Sequence, residues 1–236
     1  MKSSAADHLA DIEPLGRASV EQRAAQALRE LIVSGRLPEG TPLIQRDLAE
    51  RLGVSQTPIR YALGELERIG LVEVGDTGRA LVRRLTREDL EEHYAARLGL
   101  EGLAARLGAV AVGEAELDRM RTVLSELDRL AVEQDIDRYL VGRWELHATA
   151  YLASGRTRLV AEVERLFWRG ERYHRLVLSS RERFARSVAS YHDFLVACEA
   201  HDPDRAERVV TDSMRWAVDL VADSLPSERE LQPPGR

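Results

Sequence analysis

The sequence predicts a mainly α-helical protein in which one β-hairpin separates two groups of helices. Three observations support this fold class. Apolar residues recur at helical spacing through most of the chain. Two short apolar runs, residues 71–74 and 80–83, flank a glycine-containing turn and have the pattern of a hairpin. From Thr86 onward the apolar spacing is helical, and no further strand pattern follows.

The first third of the chain predicts three helices followed by the hairpin. Gly53 ends the second helix, and Ser55 is a natural N-cap for the third. Pro58 is tolerated in the first turn of that third helix. The predicted helices span about residues 20–34, 45–52 and 55–69, and the predicted strands span 71–74 and 80–83.

The rest of the chain predicts an all-α antiparallel bundle. Thr86 and Asp89 form a plausible capping pair at its start. Helical patterns follow at roughly 87–111, 114–132, 135–153, 156–178, 181–200 and 203–224. We therefore predict a domain at 18–84, a helical domain at 86–225, and disordered tails at 1–17 and 226–236.

Composition excludes several classes of protein. The chain has 236 residues, of which 44% are apolar and 31% charged, which is enough for one or two domains with a sizeable core. No run of about 18 uncharged apolar residues is present, so we expect no membrane span. Asp7, Asp11 and Glu13 argue against a signal peptide. The single cysteine, Cys198, cannot form an internal disulfide, and we expect a cytoplasmic protein.

The net charge of −6 argues, at first sight, against a nucleic-acid binder. Residues 1–85 carry 12 basic and 12 acidic side chains, so the whole negative excess lies in the remainder. Lys2 is the only lysine, and the other 33 basic residues are arginines. A few arginines on one face are sufficient for DNA binding, so a neutral first third remains compatible with it.

The second and third helices have the spacing of a helix-turn-helix. With Gln45 as position 1, Ala49 is at position 5, Gly53 at 9 and Ile59 at 15. The alanine lets the second helix approach, the glycine permits the tight turn, and the isoleucine packs between helices. The next helix would present its N-terminal end to base edges in the major groove, and the hairpin would be a wing with Arg79 at its tip. The side chains expected there are Ser55, Gln56, Thr57 and Arg60.

These residues carry a resemblance to a known family. The segment LAERLGVSQTPIRYAL at residues 48–63, preceded by LPEG at 37–40 and followed by GLV at 70–72, resembles the DNA-binding domain of GntR-family bacterial transcription regulators. The resemblance implies operator contacts from the third helix and the wing. Gln45 and Gln56 depart from the family's usual glutamate and arginine. The residues implied as DNA contacts are Arg46, Ser55, Gln56, Thr57, Arg60, Thr77, Gly78 and Arg79.

The C-terminal helices resemble the FCD domain of the FadR-like branch of this family. The resemblance rests on RLGLE at residues 97–101, on Leu146-His147 followed by ASG at 153–155, and on three residues of the last two helices. Those three are His192, Asp202 and Ala206.

Many FCD domains hold a divalent metal between three histidines and an aspartate, and the resemblance implies where those ligands would lie. The matching positions are Arg143, His147, His192 and Ser213. Arg143 replaces the aspartate and Ser213 replaces one histidine. Nitrogen and oxygen ligands suit Zn, Ni or Mn, but two histidines beside a guanidinium make a poor site for a dication.

Three arrangements therefore remain open. In the first, Arg143 replaces the metal and aspartate and binds an effector anion directly, with Arg97 as a second cation. In the second, a metal is retained by His147 and His192. In the third, Arg143 points to solvent and both histidines belong to the core. The predicted effector-binding set is Arg97, Glu101, Arg143, His147, His192 and Ser213. We expect His93 and His174 to be surface or partner-contact residues.

The sequence predicts a DNA-binding regulator rather than an enzyme. No nucleophile–base pair, glycine-rich phosphate loop or paired-carboxylate arrangement is evident. The resemblance implies a homodimer on a pseudo-palindromic double-stranded operator, with affinity modulated by a small carboxylate effector and no membrane partner. A DNA-binding architectural protein without a ligand is the alternative.

Overall fold

A computed structural model of the chain describes residues 19–75 and 78–231. The chain divides between Arg83 and Arg84 into two compact units, and each unit is described by itself. The predicted fold class is confirmed: an N-terminal three-helix unit with a small sheet precedes a helical bundle. The predicted tail at 1–17 and the wing residue Thr77 lie outside the described residues.

The N-terminal unit packs three helices against a two-stranded sheet. A capping box between Ser19 and Gln22 starts the first helix. Leu28 from the first helix and Ile59 from the third are fully buried in the shared core. The elements are α1 (Val20–Val33), α2 (Gln45–Leu52), α3 (Gln56–Arg68), β1 (Val72–Val74) and β2 (Ala80–Val82).

The hairpin is antiparallel, with Val72 opposite Val82 and Val74 opposite Ala80. The sequence patterns missed a third contribution to this sheet. The backbone N–H of Leu43 donates to the Ala80 carbonyl at 2.8 Å, so the segment before α2 lies along the outer edge of β2. This pairing ties the helix-turn-helix to the wing and covers an otherwise open strand edge.

The bundle follows the predicted helices closely, with one split. The pattern at 156–178 forms two helices, because the backbone leaves helical geometry at Gly170, a weak helix former. The helices are α4 (Arg87–Ala111), α5 (Glu114–Glu133), α6 (Ile136–Ala153), α7 (Thr157–Arg169), α8 (Glu171–Val177), α9 (Arg181–Glu199), α10 (Pro203–Val221) and α11 (Glu228–Leu231), with a 3-10 turn at Ala222–Ser224.

Helix α4 packs against four other helices of the bundle, α6, α7, α9 and α10. Thr86 caps it as predicted, since its hydroxyl accepts the N–H of Asp89 at 3.1 Å. The approach to α6 is so close that a Cβ atom at Gly108 would lie 2.4 Å from the carbonyl oxygen of Ala150. Only glycine fits this crossing, which places the inward face of α4 firmly against α6.

The prediction of a disordered tail from residue 226 is wrong for its first part. Glu228–Leu231 is helical, and the backbone N–H of Glu228 donates to the Glu88 carboxylate at 3.0 Å. The Arg87 N–H likewise donates to the Pro226 carbonyl at 3.1 Å. These contacts hold this segment against the start of α4, and the remainder of the predicted tail, 232–236, lies outside the described residues. Across the described ranges, no helix combines the length and apolar character needed to cross a membrane.

Candidate functional site

The helix-turn-helix has the geometry that its residue spacing predicts. Gly53 adopts a left-handed conformation with φ of 66°, which turns the chain sharply between α2 and α3. Ala49 is 5% exposed beneath the turn, and Ile59 is fully buried. The Val54 N–H donates to the Ala49 carbonyl at 3.0 Å and fixes the turn.

The N-terminal end of α3 presents a row of polar side chains to solvent. The hydroxyl of Ser55, at the N-cap, makes no capping hydrogen bond, so it is free to donate outward. Arg46, in the first turn of α2, is 79% exposed and has only a 3.4 Å contact with Asp47. The exposed residues at the start of α3 are Ser55, Gln56, Thr57 and Arg60. These are donors with the reach for phosphates and base edges.

The wing has an exposed end. Gly78 and Arg79 are both exposed, and the Gly75 N–H donates to the Arg79 carbonyl at 3.0 Å to close the hairpin. The structure therefore displays a guanidinium at the wing, where the sequence predicts it.

The bundle contains a buried ion pair on α4. Arg97 is fully buried, and its Nε donates to Oε1 of Glu101 at 2.5 Å. The Arg97 Nη1 donates to Nε2 of His174 at 2.6 Å. A guanidinium can only donate, so Nε2 must be the acceptor and the ring proton of neutral His174 lies on Nδ1. Burial lowers the pKa of Arg97, but Glu101 together with Tyr94 and Tyr151 raises it by more in total, so the net shift is upward and the guanidinium is charged.

Arg143 is a second guanidinium near this pair, but it faces aromatic rings rather than a carboxylate. Its Cζ lies 5.2 Å from the ring centre of Phe167 and 5.9 Å from that of Tyr191. Its Nε is buried and has no hydrogen-bond partner in the part of the chain that is described. A buried donor without a partner costs free energy, so this atom favours an added acceptor.

Arg143 lines a small cavity between α4, α6, α9 and α10. The cavity has a volume of about 10 Å³, roughly the room for one water molecule. Four of the predicted effector residues meet there, namely Glu101, Arg143, His147 and Ser213. The remaining lining residues are Ser190, Tyr191, Phe194, Val209, Val210 and Met214. Arg97 is not in the lining, and Glu101 neutralises it, so the prediction of a second free cation at the cavity is wrong.

His147 belongs to the core and to the cavity wall at once. It is 6% exposed, and its Nδ1 lies 3.2 Å from the Tyr151 hydroxyl. Burial lowers the pKa of His147 well below its ordinary value, and Arg143 and Arg97 lower it further. The imidazole is therefore neutral in the folded protein.

The prediction that His192 shares this site is wrong. Its side chain is 52% exposed, and its Nε2 lies 3.0 Å from Asp128 on α5. Successive residues of a helix point about 100° apart, so Tyr191, the preceding residue, faces the cavity instead. Its ring lies 5.4 Å from that of His147, centre to centre.

The prediction that His93 and His174 are surface or partner-contact residues is wrong for His174, and His93 is half-buried. His174 is 1% exposed, and its Nδ1 has no partner among the described residues. Burial lowers the pKa of His93 to about 3, with Arg97 and Arg169 adding to the effect. The helical spacing of His93 and Arg97, one turn apart, could have indicated that both face the same interior.

The residues present do not fit a divalent metal. No cluster of three or more histidine, cysteine or carboxylate side chains suited to a metal occurs within residues 19–75 and 78–231. The Arg143 guanidinium occupies the neighbourhood of His147, and the other expected histidine is on the outer surface. A fixed positive charge beside a single imidazole opposes the binding of a dication at this position.

Family comparisons match both units of the chain. The model for bacterial regulatory proteins of the gntR family matches residues 20–82, and the FCD domain model matches residues 89–215. The second match covers more than half of the chain. Both agree with the resemblances that the motifs indicated.

The individual relatives match this chain either over only part of its length or at low sequence identity. A "Probable D-xylose utilization operon transcriptional repressor" from Paenarthrobacter nicotinovorans is 40% identical over 95 residues, covering 40% of this chain and 42% of the relative. The chain spans about half the length of the first curated relatives it matches. The HTH-type transcriptional regulator McbR of Escherichia coli is 25% identical over 82% of this chain and 89% of its own.

A solved structure of E. coli McbR has the same fold. The TM-score is 0.72 at 21% identity, over 88% of this chain and 99% of that chain. The named relatives are transcriptional regulators and not enzymes, in agreement with the prediction from sequence. The chain belongs to the GntR family of bacterial regulatory proteins, in the group whose C-terminal half is an FCD domain.

Proposed function

We propose that this protein is a transcription regulator that binds operator DNA through its N-terminal unit and alters that affinity when a small organic anion binds the bundle. The observation that carries the effector part is the buried, unpartnered Nε of Arg143 at the cavity wall. The DNA part rests on the exposed polar row at the start of α3 and on membership of the family.

The proposed DNA contacts follow from exposure and chemistry. Arg60 and Gln56 lie on the solvent side of α3, with lengths that reach the major groove. Arg79 on the wing and Arg46 on α2 would contact phosphates or the minor groove. We further propose that the protein is a cytoplasmic homodimer. Its two N-terminal units, spaced by one helical turn of the DNA, would each bind one half of a pseudo-palindromic operator.

Charge supports an anion as the effector. In the metal-binding arrangement of this domain, a dication and one aspartate together supply about one positive charge. Arg143 supplies the same charge without a metal, and it can form paired hydrogen bonds with a carboxylate. We therefore propose that the effector's carboxylate binds Arg143 directly and that no metal is required.

The small cavity explains how binding could be transmitted. A cavity of about 10 Å³ cannot admit an organic acid unless side chains move. Most of the lining comes from α9 and α10, which include the flexible Met214. An effector would therefore favour an arrangement of these helices with more room, and operator affinity would change by the difference in its affinity for the two arrangements. The D-xylose relative is named as a repressor, and we propose that this chain is also a repressor.

Selection of binding sites from a randomised duplex pool tests the DNA part with the full-length protein. We expect enrichment of a sequence with two inverted half-sites. Arg60→Ala should weaken binding to the selected duplex at least about tenfold, since it removes a contact to DNA. Arg158→Ala, an exposed arginine on α7, is the matched control and should change affinity less than about twofold. Failure to enrich any sequence would contradict the regulator proposal.

Metal analysis tests the effector part. Purified protein should contain metal far below one ion per chain, and a chelator should leave the melting temperature unchanged. A stoichiometric, tightly bound metal would overturn direct binding of the anion by Arg143. Arg143→Gln should abolish the effect of organic acids on operator affinity while leaving DNA binding intact.

A further inference from the structure

Three ionised side chains define the charge near the bundle cavity. Arg97 and Arg143 are cationic, and Glu101 is anionic and bonded to Arg97 at 2.5 Å. Glu101 lines the cavity while Arg97 lies behind it, so the ion pair contributes no net charge at that wall. Arg143 is therefore the uncompensated charge, and the three groups together carry one positive charge.

The neighbouring histidines do not change this sum. The Arg97 guanidinium donates to Nε2 of His174, which requires an unprotonated nitrogen there. Burial, followed by the charges of Arg143 and Arg97, lowers the pKa of both His174 and His147 well below the ordinary value. Each ring is thus neutral at physiological pH.

We infer that the bundle cavity selects a singly charged organic anion and that Glu101 sets this preference. The inference rests on the proposed function, because it names the class of effector that would bind the same cavity. A monoanion bound at Arg143 would bring the local charge to zero. A dianion would leave an unpaired negative charge facing the Glu101 carboxylate in a buried, weakly screened site.

The lining favours a short apolar body on this anion. Phe194, Val210 and Met214 form the apolar part of the wall. Ser190 and Ser213, whose hydroxyls lie 3.4 Å apart, provide a polar corner for the second carboxylate oxygen. A small monocarboxylate matches this division, with its charge at Arg143 and its hydrocarbon part against α9 and α10.

Calorimetric titration of the full-length protein with matched acids tests the inference. Each pair shares a carbon skeleton and differs by one carboxylate: butyrate and succinate, hexanoate and adipate, 2-methylbenzoate and phthalate. We expect the monoanion of a pair to bind at least about tenfold more tightly than the dianion. Butyramide, which has no charge, should not bind.

Glu101→Gln should reverse the order, because the cavity then carries two positive charges. Glu91→Gln makes the same change on the exposed face of α4 and should leave the order unaltered. The double variant Arg97→Gln/Glu101→Gln removes both charges of the ion pair and keeps the sum at one positive charge. It should retain the preference for monoanions, and it tests the inference even when the single variant does not fold.

The outcomes separate this inference from the proposed function. Binding of dianions as tightly as monoanions, or a double variant that prefers dianions, contradicts the charge selection alone. An unchanged preference in a folded Glu101→Gln variant contradicts it as well. Absence of binding by all six acids contradicts the proposed anion site itself, and the selection falls with it.

Discussion

Arg97 and Glu101 lie one turn apart on α4 and form a 2.5 Å ion pair in which the side chains are 0% and 3% exposed. Such a pair costs desolvation free energy, which the attraction between the two charges offsets only when both partners are present. The pair also connects two parts of the site. Arg97 bonds to His174 on α8, while Glu101 lines the cavity between α4 and α10.

Removing one partner of this pair should destabilise the protein strongly. Glu101→Gln leaves a buried guanidinium without its counter-charge, so we expect the free energy of unfolding to fall by about 3–5 kcal/mol. The double variant Arg97→Gln/Glu101→Gln should recover much of this loss, since neither charge remains. Urea denaturation of the three proteins measures the effect. Equal losses in the single and double variants would show that the charge pairing is not the cause.

Three histidines with lowered pKa values predict a loss of stability in mild acid. The pKa of His93 is lowered to about 3 by burial, and the pKa values of His147 and His174 are lowered well below normal. Their unfolded values are ordinary, near 6.5, so the unfolded state binds more protons below that pH and gains stability. Each histidine lowers the free energy of unfolding by up to about 1.4 kcal/mol for each pH unit of acidification, and this full slope is reached only below about pH 5.5.

The check is the slope of unfolding free energy against pH. His93→Gln should flatten that slope between pH 5.5 and 4.5 by about 1.4 kcal/mol per unit, since one of the groups no longer titrates. Between pH 7.5 and 8.5 the slopes of the variant and the parent protein should coincide, because the histidines are neutral in both states there. If the His93→Gln variant kept the slope of the parent protein between pH 5.5 and 4.5, a group other than His93 would be responsible for the proton uptake.

The helix-turn-helix was predictable because its signals are local. Ala49, Gly53 and Ile59 each satisfy a requirement set by the turn between two consecutive helices, and the structure meets all of them. A left-handed φ at Gly53 depends on neighbouring residues and hardly on the rest of the chain. The pairing of Leu43 with β2 was missed because residues 41–44 have no alternating pattern of their own.

The bundle site was less predictable because helical spacing gives a period but not the direction of each side chain. Residues 191 and 192 are adjacent, yet only Tyr191 faces the cavity, and packing of α9 against α5 and α10 decides which one does. The sequence predicts one helix across residues 156–178, whereas the structure breaks it at Gly170. His174 lies on α8, after this break, and contacts Arg97.

The crossing of α4 and α6 predicts opposite effects for two glycines on one helix. At Gly108 an added Cβ would meet the Ala150 backbone at 2.4 Å, so Gly108→Ala should destabilise the bundle by about 1–3 kcal/mol. At Gly99 a Cβ meets nothing within 4 Å, so Gly99→Ala should stabilise it by about 0.5–1 kcal/mol through helix propensity. Chemical denaturation of both variants is the measurement. Equal shifts in the same direction would contradict the close crossing.

Gln56 predicts which base α3 would read in the proposed complex with operator DNA. It is exposed in the first turn of α3, where a glutamine can form two hydrogen bonds with adenine through N6 and N7. Arginine at this position would instead donate twice to O6 and N7 of guanine. We expect Gln56→Arg to change one base pair in each selected half-site from A·T to G·C, with a discrimination of about 1–3 kcal/mol. Site selection with both proteins shows the change directly.

Gln26→Arg on α1 is the control, because it adds the same charge outside α3, and it should leave the selected sequence unaltered. A new preference in both variants would mean that added charge, rather than base reading by residue 56, determines the site.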